Sequence, residues 1–132
     1  MKRFILLLIL ICISFFIKIP EYVELNDLAI IEGIGISYNN NHYTIYLKEI
    51  IPIKDEQGIN YDYKYYKESG KTLNNAYQNL KNKTKKKLYL KEAKLIVTNI
   101  KTTDEIKNYF KIKNITIHHT KYDILKSLKK ST

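Results

Sequence analysis

Gly70-Lys71-Thr72 carries the chemistry of the last part of a phosphate-binding loop: a glycine that lets backbone N–H groups approach a phosphate, a lysine, and a hydroxyl for magnesium. The full motif needs another glycine five residues earlier, and Tyr65 stands there. No hydrophobic strand leads straight into the segment. The tripeptide is therefore expected to open a helix. His118-His119 is the one pair of adjacent histidines. Neighbours on a strand point to opposite faces, so the pair cannot close on one ion. His42 stands alone, and no acidic or cysteine cluster completes a metal shell. No serine lies in the strand–turn–helix setting of a nucleophile elbow. The sequence thus assigns no catalytic, cofactor-binding or metal-ligating residue, and the expectation is a protein that is not an enzyme.

Two patterns suit binding. Lys81, Lys83, Lys85, Lys86, Lys87, Lys91 and Lys94 form a basic run relieved only by Glu92. The plain reading is a solvated turn at a helix end. The functional reading is attraction to anionic lipid, worth roughly 1 kcal/mol per lysine near the surface. Tyr61, Tyr63, Tyr65 and Tyr66 imitate a base-stacking platform, but they are expected as half-buried strand residues. Nucleic acid is not an expected partner, because the N-terminus sends this patch out of the cytoplasm.

That N-terminus begins Met1-Lys2-Arg3 and continues as an apolar run from Phe4 to Ile17, with Ser14 its only polar residue. Basic residues ahead of such a run keep the N-terminus in the cytoplasm and send the rest across. At 1.5 Å per residue the run spans about 21 Å, short of a hydrocarbon core of about 30 Å. Lys18 can snorkel and Ile19 can lengthen the span, and no small-x-small cleavage site follows. The run's length suits a signal-peptide core and its flanks an uncleaved anchor, so residues 1–20 are expected as a signal anchor or signal segment, the uncleaved anchor first, and 21–132 as one domain. Cys12, the only cysteine, follows Ile9-Leu10-Ile11, where lipoprotein processing wants a small residue. The exported part then has no disulfide. The net charge is +10, a value that speaks to attraction for anionic surfaces and not to fold.

The elements between follow from periodicity. Leu28 to Tyr38 alternates as a strand, with Gly33 and Gly35 leaving one face bare for a closely packed neighbour. Asn39-Asn40-Asn41 is a turn, and His42 to Ile51 alternates again, completing a β-hairpin. Pro52 is expected to end that strand and residues 53–62 to form a polar loop. Tyr63 to Glu68 reads as a third strand. Thr72 caps a helix whose stripe is Leu73, Ala76, Tyr77 and Leu80. Asn82 to Lys87 is a basic turn and Leu88 to Leu90 a short extended piece. Ala93 to Ile100 is a buried strand. A second helix opens at Thr103-Asp104-Glu105, with Ile106, Tyr109 and Phe110 inward. Ile115 to His119 is a short strand. Lys121 to Lys130 is a last helix with Ile124, Leu125 and Leu128 inward. The class is α+β: an N-terminal β-hairpin followed by alternating helices and strands in one small domain.

Glu24 to Ile36, an acidic lead-in running through Ala29-Ile30-Ile31 to Gly33-Ile34-Gly35, resembles the opening of the Ger(x)C family, the C subunits of spore germinant receptors. A second block agrees: Ser69-Gly70-Lys71-Thr72-Leu73, Ala76 and Leu80, then Lys87-Leu88-Tyr89-Leu90 and Lys94-Leu95-Ile96-Val97. Asp123-Ile124-Leu125 resembles the end of the same N-terminal domain. The chain differs from the family in its missing lipobox at Cys12, in Glu92 where histidine is common, and in stopping after the first of three domains. The resemblance implies a non-enzymatic, lipoprotein-like component on the outer face of the cytoplasmic or spore inner membrane, acting in germination beside integral A- and B-type subunits. The alternative is an anchored extracytoplasmic module that binds a cell-envelope ligand or an anionic membrane surface.

Overall fold

The computed structural model describes residues 27–130 apart from 57, 102, 113 and 122. The expected anchor at 1–20, Cys12 and the lead-in up to residue 26 lie outside the described residues. The elements run β1 (Leu28–Asn39), β2 (His42–Asp55), β3 (Gly58–Gly70), α1 (Leu73–Thr84), β4 (Lys87–Tyr89), β5 (Leu95–Thr98), α2 (Thr103–Phe110), β6 (Thr116–His119) and α3 (Ile124–Lys130). The described strands form a single mixed sheet in the order β3-β2-β1-β5-β6, with β4 also beside β1. This is the expected α+β domain.

β1 and β2 pair antiparallel through Asn40 and Asn41, both at positive φ (49° and 61°). That geometry suits a two-residue hairpin turn, and asparagine tolerates it. β4 and β5 then share the far edge of β1, one after the other and parallel to it: Leu28 faces Lys87, and Ile34 faces Ile96. One face of the sheet carries Ile31, Ile34, Ile36, Ile45 and Leu47, all wholly buried beneath the stripe of α1 and α2. Ala76 and Leu80 supply the α1 side and Ile106 and Phe110 the α2 side. Tyr77 meets Tyr109 and Phe110 edge-on, at 6.0 and 5.7 Å between ring centres, an arrangement that suits the ring quadrupoles.

The other face is where the two glycines of β1 act. A Cβ on Gly33 would stand 2.8 Å from Leu128 Cδ1, and one on Gly35 would stand 2.6 Å from Ile124 Cγ2. α3 therefore sits directly on the bare strand, and Val97, Ile124 and Leu128 make a second small core there. Leu125, expected inward, is only half-buried. Asp123 accepts from the N–H groups of Leu125 and Lys126 and so starts this helix.

Residues 53–62 are not a loop. β2 continues through Pro52 to Asp55, and Gly58 to Asp62 pair with it as a hairpin arm. The pairing of β1 with β2 ends at Ile30–Ile50, so along the arm β2 has no described neighbour on that side. Proline, which lacks an N–H, is tolerated on such an edge and not in a central strand. The predicted third strand is accordingly longer, and Tyr61 on the arm is exposed where half-burial was expected.

Candidate functional site

Thr72 does what the sequence suggests: its hydroxyl accepts from the Asn75 N–H at 3.1 Å and caps α1. Gly70 is where it is because α1 starts against it; a Cβ there would collide with the backbone of Asn75 and Ala76. Ser69 Oγ bonds Thr44 Oγ1 at 2.8 Å, a hydroxyl and not a base. His42 Nδ1 lies 2.9 Å from the Asn40 carbonyl, to which it donates. His118 and His119 are both exposed on β6. Among the described residues no group of three or more His, Cys, Asp or Glu is placed to hold a metal ion. The structure thus brings His42 to the same open pocket as Ser69, Gly70 and Lys71, whereas His118 and His119 lie apart from them on β6.

It brings together a set that periodicity did not point to. Lys48 and Glu49 are neighbours on β2, point to opposite faces, and are 1% and 2% exposed. Each has an opposite charge beside it. Glu49 Oε1 accepts from Lys86 Nζ at 2.8 Å, and its Oε2 accepts from the Tyr66 hydroxyl at 2.6 Å. Lys48 Nζ lies 3.0 Å from Glu32 Oε2 and 4.2 Å from the centre of the Tyr63 ring. The Lys48–Glu32 contact is a charge contact without an aligned hydrogen bond. Glu32 reaches it from a β-bulge: Ile31 faces Glu49 and Gly33 faces Lys48, leaving Glu32 as the extra residue.

These groups match one another and leave no reactive group unpaired. Their work is in register. A slip of β2 by one residue would exchange the faces of Lys48 and Glu49 and strand both charges. The signal was in the sequence. Glu49 occupies the inward phase set by Tyr43, Ile45 and Leu47, and a carboxylate in that phase demands a partner.

Tyr66 is held well above the ordinary phenol value of 10.0, first by burial and then by its bond to the Glu49 carboxylate and that group's charge. Below pH 10.0 the phenol is protonated in the folded and unfolded chain alike. Above that, the unfolded chain loses the proton first, so this group's contribution to stability falls as pH rises. Tyr66→Phe removes it. Denaturant titrations at about pH 9 and about pH 11 should show wild type losing more stability than the variant; parallel losses would show that Tyr66 is not the titrating group.

Two surface features complete the picture. The lysine run lies around the end of α1, where Lys85 takes a left-handed conformation (φ 54°) and its N–H donates to Lys81 O. Lys81, Lys83, Lys85, Lys87, Lys91 and Lys94 are exposed; Lys86, committed to Glu49, is not. An open groove of about 510 Å³ is lined by Leu88, Leu90, Phe110 and Ile112, with Lys91 and Lys111. Among the described residues no helix is long and apolar enough to cross a membrane.

Fold and site together define a small mixed-sheet α+β domain held in register by buried ion pairs. The chain belongs to the spore germination proteins: the family model for their N-terminal domain matches residues 21–116, well over half of its length. That family is one of germinant-receptor subunits and is not a known enzyme family. Comparison with curated proteins and with solved structures gave no match.

Proposed function

We propose that the chain is a membrane-tethered, non-enzymatic component of a spore germinant receptor, similar to its C subunit and working through protein–protein contacts. The family match over residues 21–116 carries the reading. The sequence adds the means of tethering, an apolar run from Phe4 to Ile17 behind two basic residues. The domain then lies on the outer face of the cytoplasmic or spore inner membrane. Its partners are the integral A- and B-type subunits, and its contribution is to help assemble them or pass on the germinant signal.

The tether is tested directly. The protein should sediment with spore membranes, and mass spectrometry of that fraction should find the N-terminal Met1-Lys2-Arg3 still attached. A mature N-terminus at Cys12 bearing diacylglycerol would replace the uncleaved anchor with a lipid one. Recovery of the chain only in the soluble fraction would remove the tether altogether.

A further inference from the structure

β1 starts at Leu28, beside Lys87 at the start of the parallel strand β4. This is the end of the sheet at which residues 1–26 lead into the domain. Each of α1 and α2 links strands that run in the direction of β1, so each helix runs back toward that end. α3 does the same, passing from Gly35 at Ile124 to Gly33 at Leu128. All three helices thus finish where the chain comes in, and their last turns and following residues present exposed lysines: Lys81, Lys85 and Lys87 around α1, Lys111 after α2, Lys129 and Lys130 on α3.

The same end carries the β2–β3 arm. Of the large apolar side chains most exposed among the described residues, Ile53 (45%), Ile59 (66%), Tyr61 (58%) and Tyr89 (36%) lie here, and Tyr38 alone lies at the opposite end. Pro52 and Tyr61 are paired across the arm, so they share one face.

We propose that this end of the domain is a docking surface for an anionic bilayer, with its lysines among headgroup phosphates and Ile59 and Tyr61 at the interface. The proposal rests on the tethered reading above and adds an orientation to it. Three observations choose a bilayer as the occupant. The first is charge: lysines at helix ends are complementary to anionic headgroups, each worth roughly 1 kcal/mol close to the surface. The second is composition: tyrosine and aliphatic side chains among lysines are what the membrane–water interface favours. The third is reach. Residues 18–26 separate the apolar run from Asp27, and fully extended they span about 30 Å. β1, with 12 residues, is about 40 Å long at a rise of about 3.3 Å per residue. The Asn39–Asn41 end therefore cannot reach the bilayer, and the basic end can. Glu56 in the turn of the arm and Asp62 on its second strand oppose burial in anionic lipid, which limits the contact to headgroup depth.

The chain contains no tryptophan, so one introduced indole reports its own surroundings. Full-length protein carrying Tyr61→Trp, and separately Tyr38→Trp, is reconstituted in vesicles of phosphatidylglycerol and acyl-brominated phosphatidylcholine. The expected result is emission at position 61 quenched about two-fold or more and blue-shifted, with position 38 unaffected. Replacing Lys85, Lys87 and Lys111 by Gln, or using vesicles without phosphatidylglycerol, should return position 61 to the unquenched state. Protein that floats with the vesicles but shows equal quenching at the two positions, or more at 38, overturns the docking surface and leaves the tether standing. Protein that does not float overturns both. A blue shift at 61 that appears only in native spore membranes, and not in pure lipid, assigns the surface to a protein and overturns the bilayer.

Discussion

Lys86→Ala should destabilise the domain by about 3–5 kcal/mol, whereas Lys85→Ala, one residue away, should change stability by less than about 0.5 kcal/mol. Both lysines belong to one basic run, and their surroundings separate them. Lys85 is exposed at the end of α1. Lys86 Nζ lies 2.8 Å from Glu49 Oε1, and the Glu49 side chain is 2% exposed. Removing Lys86 leaves that carboxylate buried with only the neutral Tyr66 hydroxyl to bond it. An uncompensated buried charge is among the few ways in which one substitution costs this much. The double variant Lys86→Ala/Glu49→Gln should recover most of the loss, because a neutral amide of the same shape needs no cation. Urea midpoints for the four proteins measure it. Equal midpoints for the Lys85 and Lys86 variants would mean that the buried pair does not form.

Leu80→Ala should cost about 2–5 kcal/mol, the range for truncating a buried leucine. Leu80 is wholly buried at the second turn of the α1 stripe, beneath the sheet face that carries Ile31, Ile34 and Ile45. The spread depends on how far the site collapses. Here the neighbours are β-branched side chains on paired strands, which favours the upper part of that range. A midpoint within error of wild type would place the wrong face of α1 against the sheet.

How much of this was visible in the sequence varies with the kind of signal. The β1–β2 hairpin, the cap at Thr72, the acidic first turn at Asp104-Glu105 and the stripe of α1 follow local rules of periodicity, capping and helix dipole, and they appear where expected. Gly33 and Gly35 announced a close neighbour on one face of β1 without naming it; α3 is more than 80 residues further along, and no local rule joins them. The arm is not legible because proline reads as a strand breaker at Pro52. That rule holds for central strands and fails once β1 no longer flanks β2. The buried charges were missed for a related reason. Alternation puts Lys48 on the face opposite Leu47, beside the bare glycines of β1, and says nothing of which charge would meet it there. α3 and the Tyr63 ring close that face. The partner of Glu49 lies 37 residues away on the far side of α1, beyond any periodicity. The family resemblance was legible because it rests on short blocks in order and not on tertiary contacts, and the match over residues 21–116 covers most of those blocks.

The central claim is that this domain works as part of a germinant receptor, and crosslinking in intact spores tests it most directly. A photoreactive group placed at Tyr38 or at His119, both exposed and away from the basic end of the domain, is activated in dormant spores carrying the full-length protein. Mass spectrometry then identifies what it has captured. The account predicts adducts with integral membrane subunits of the A and B type, lost when the genes for those subunits are deleted. Adducts with soluble cytoplasmic proteins alone would contradict both the topology and the role in germination.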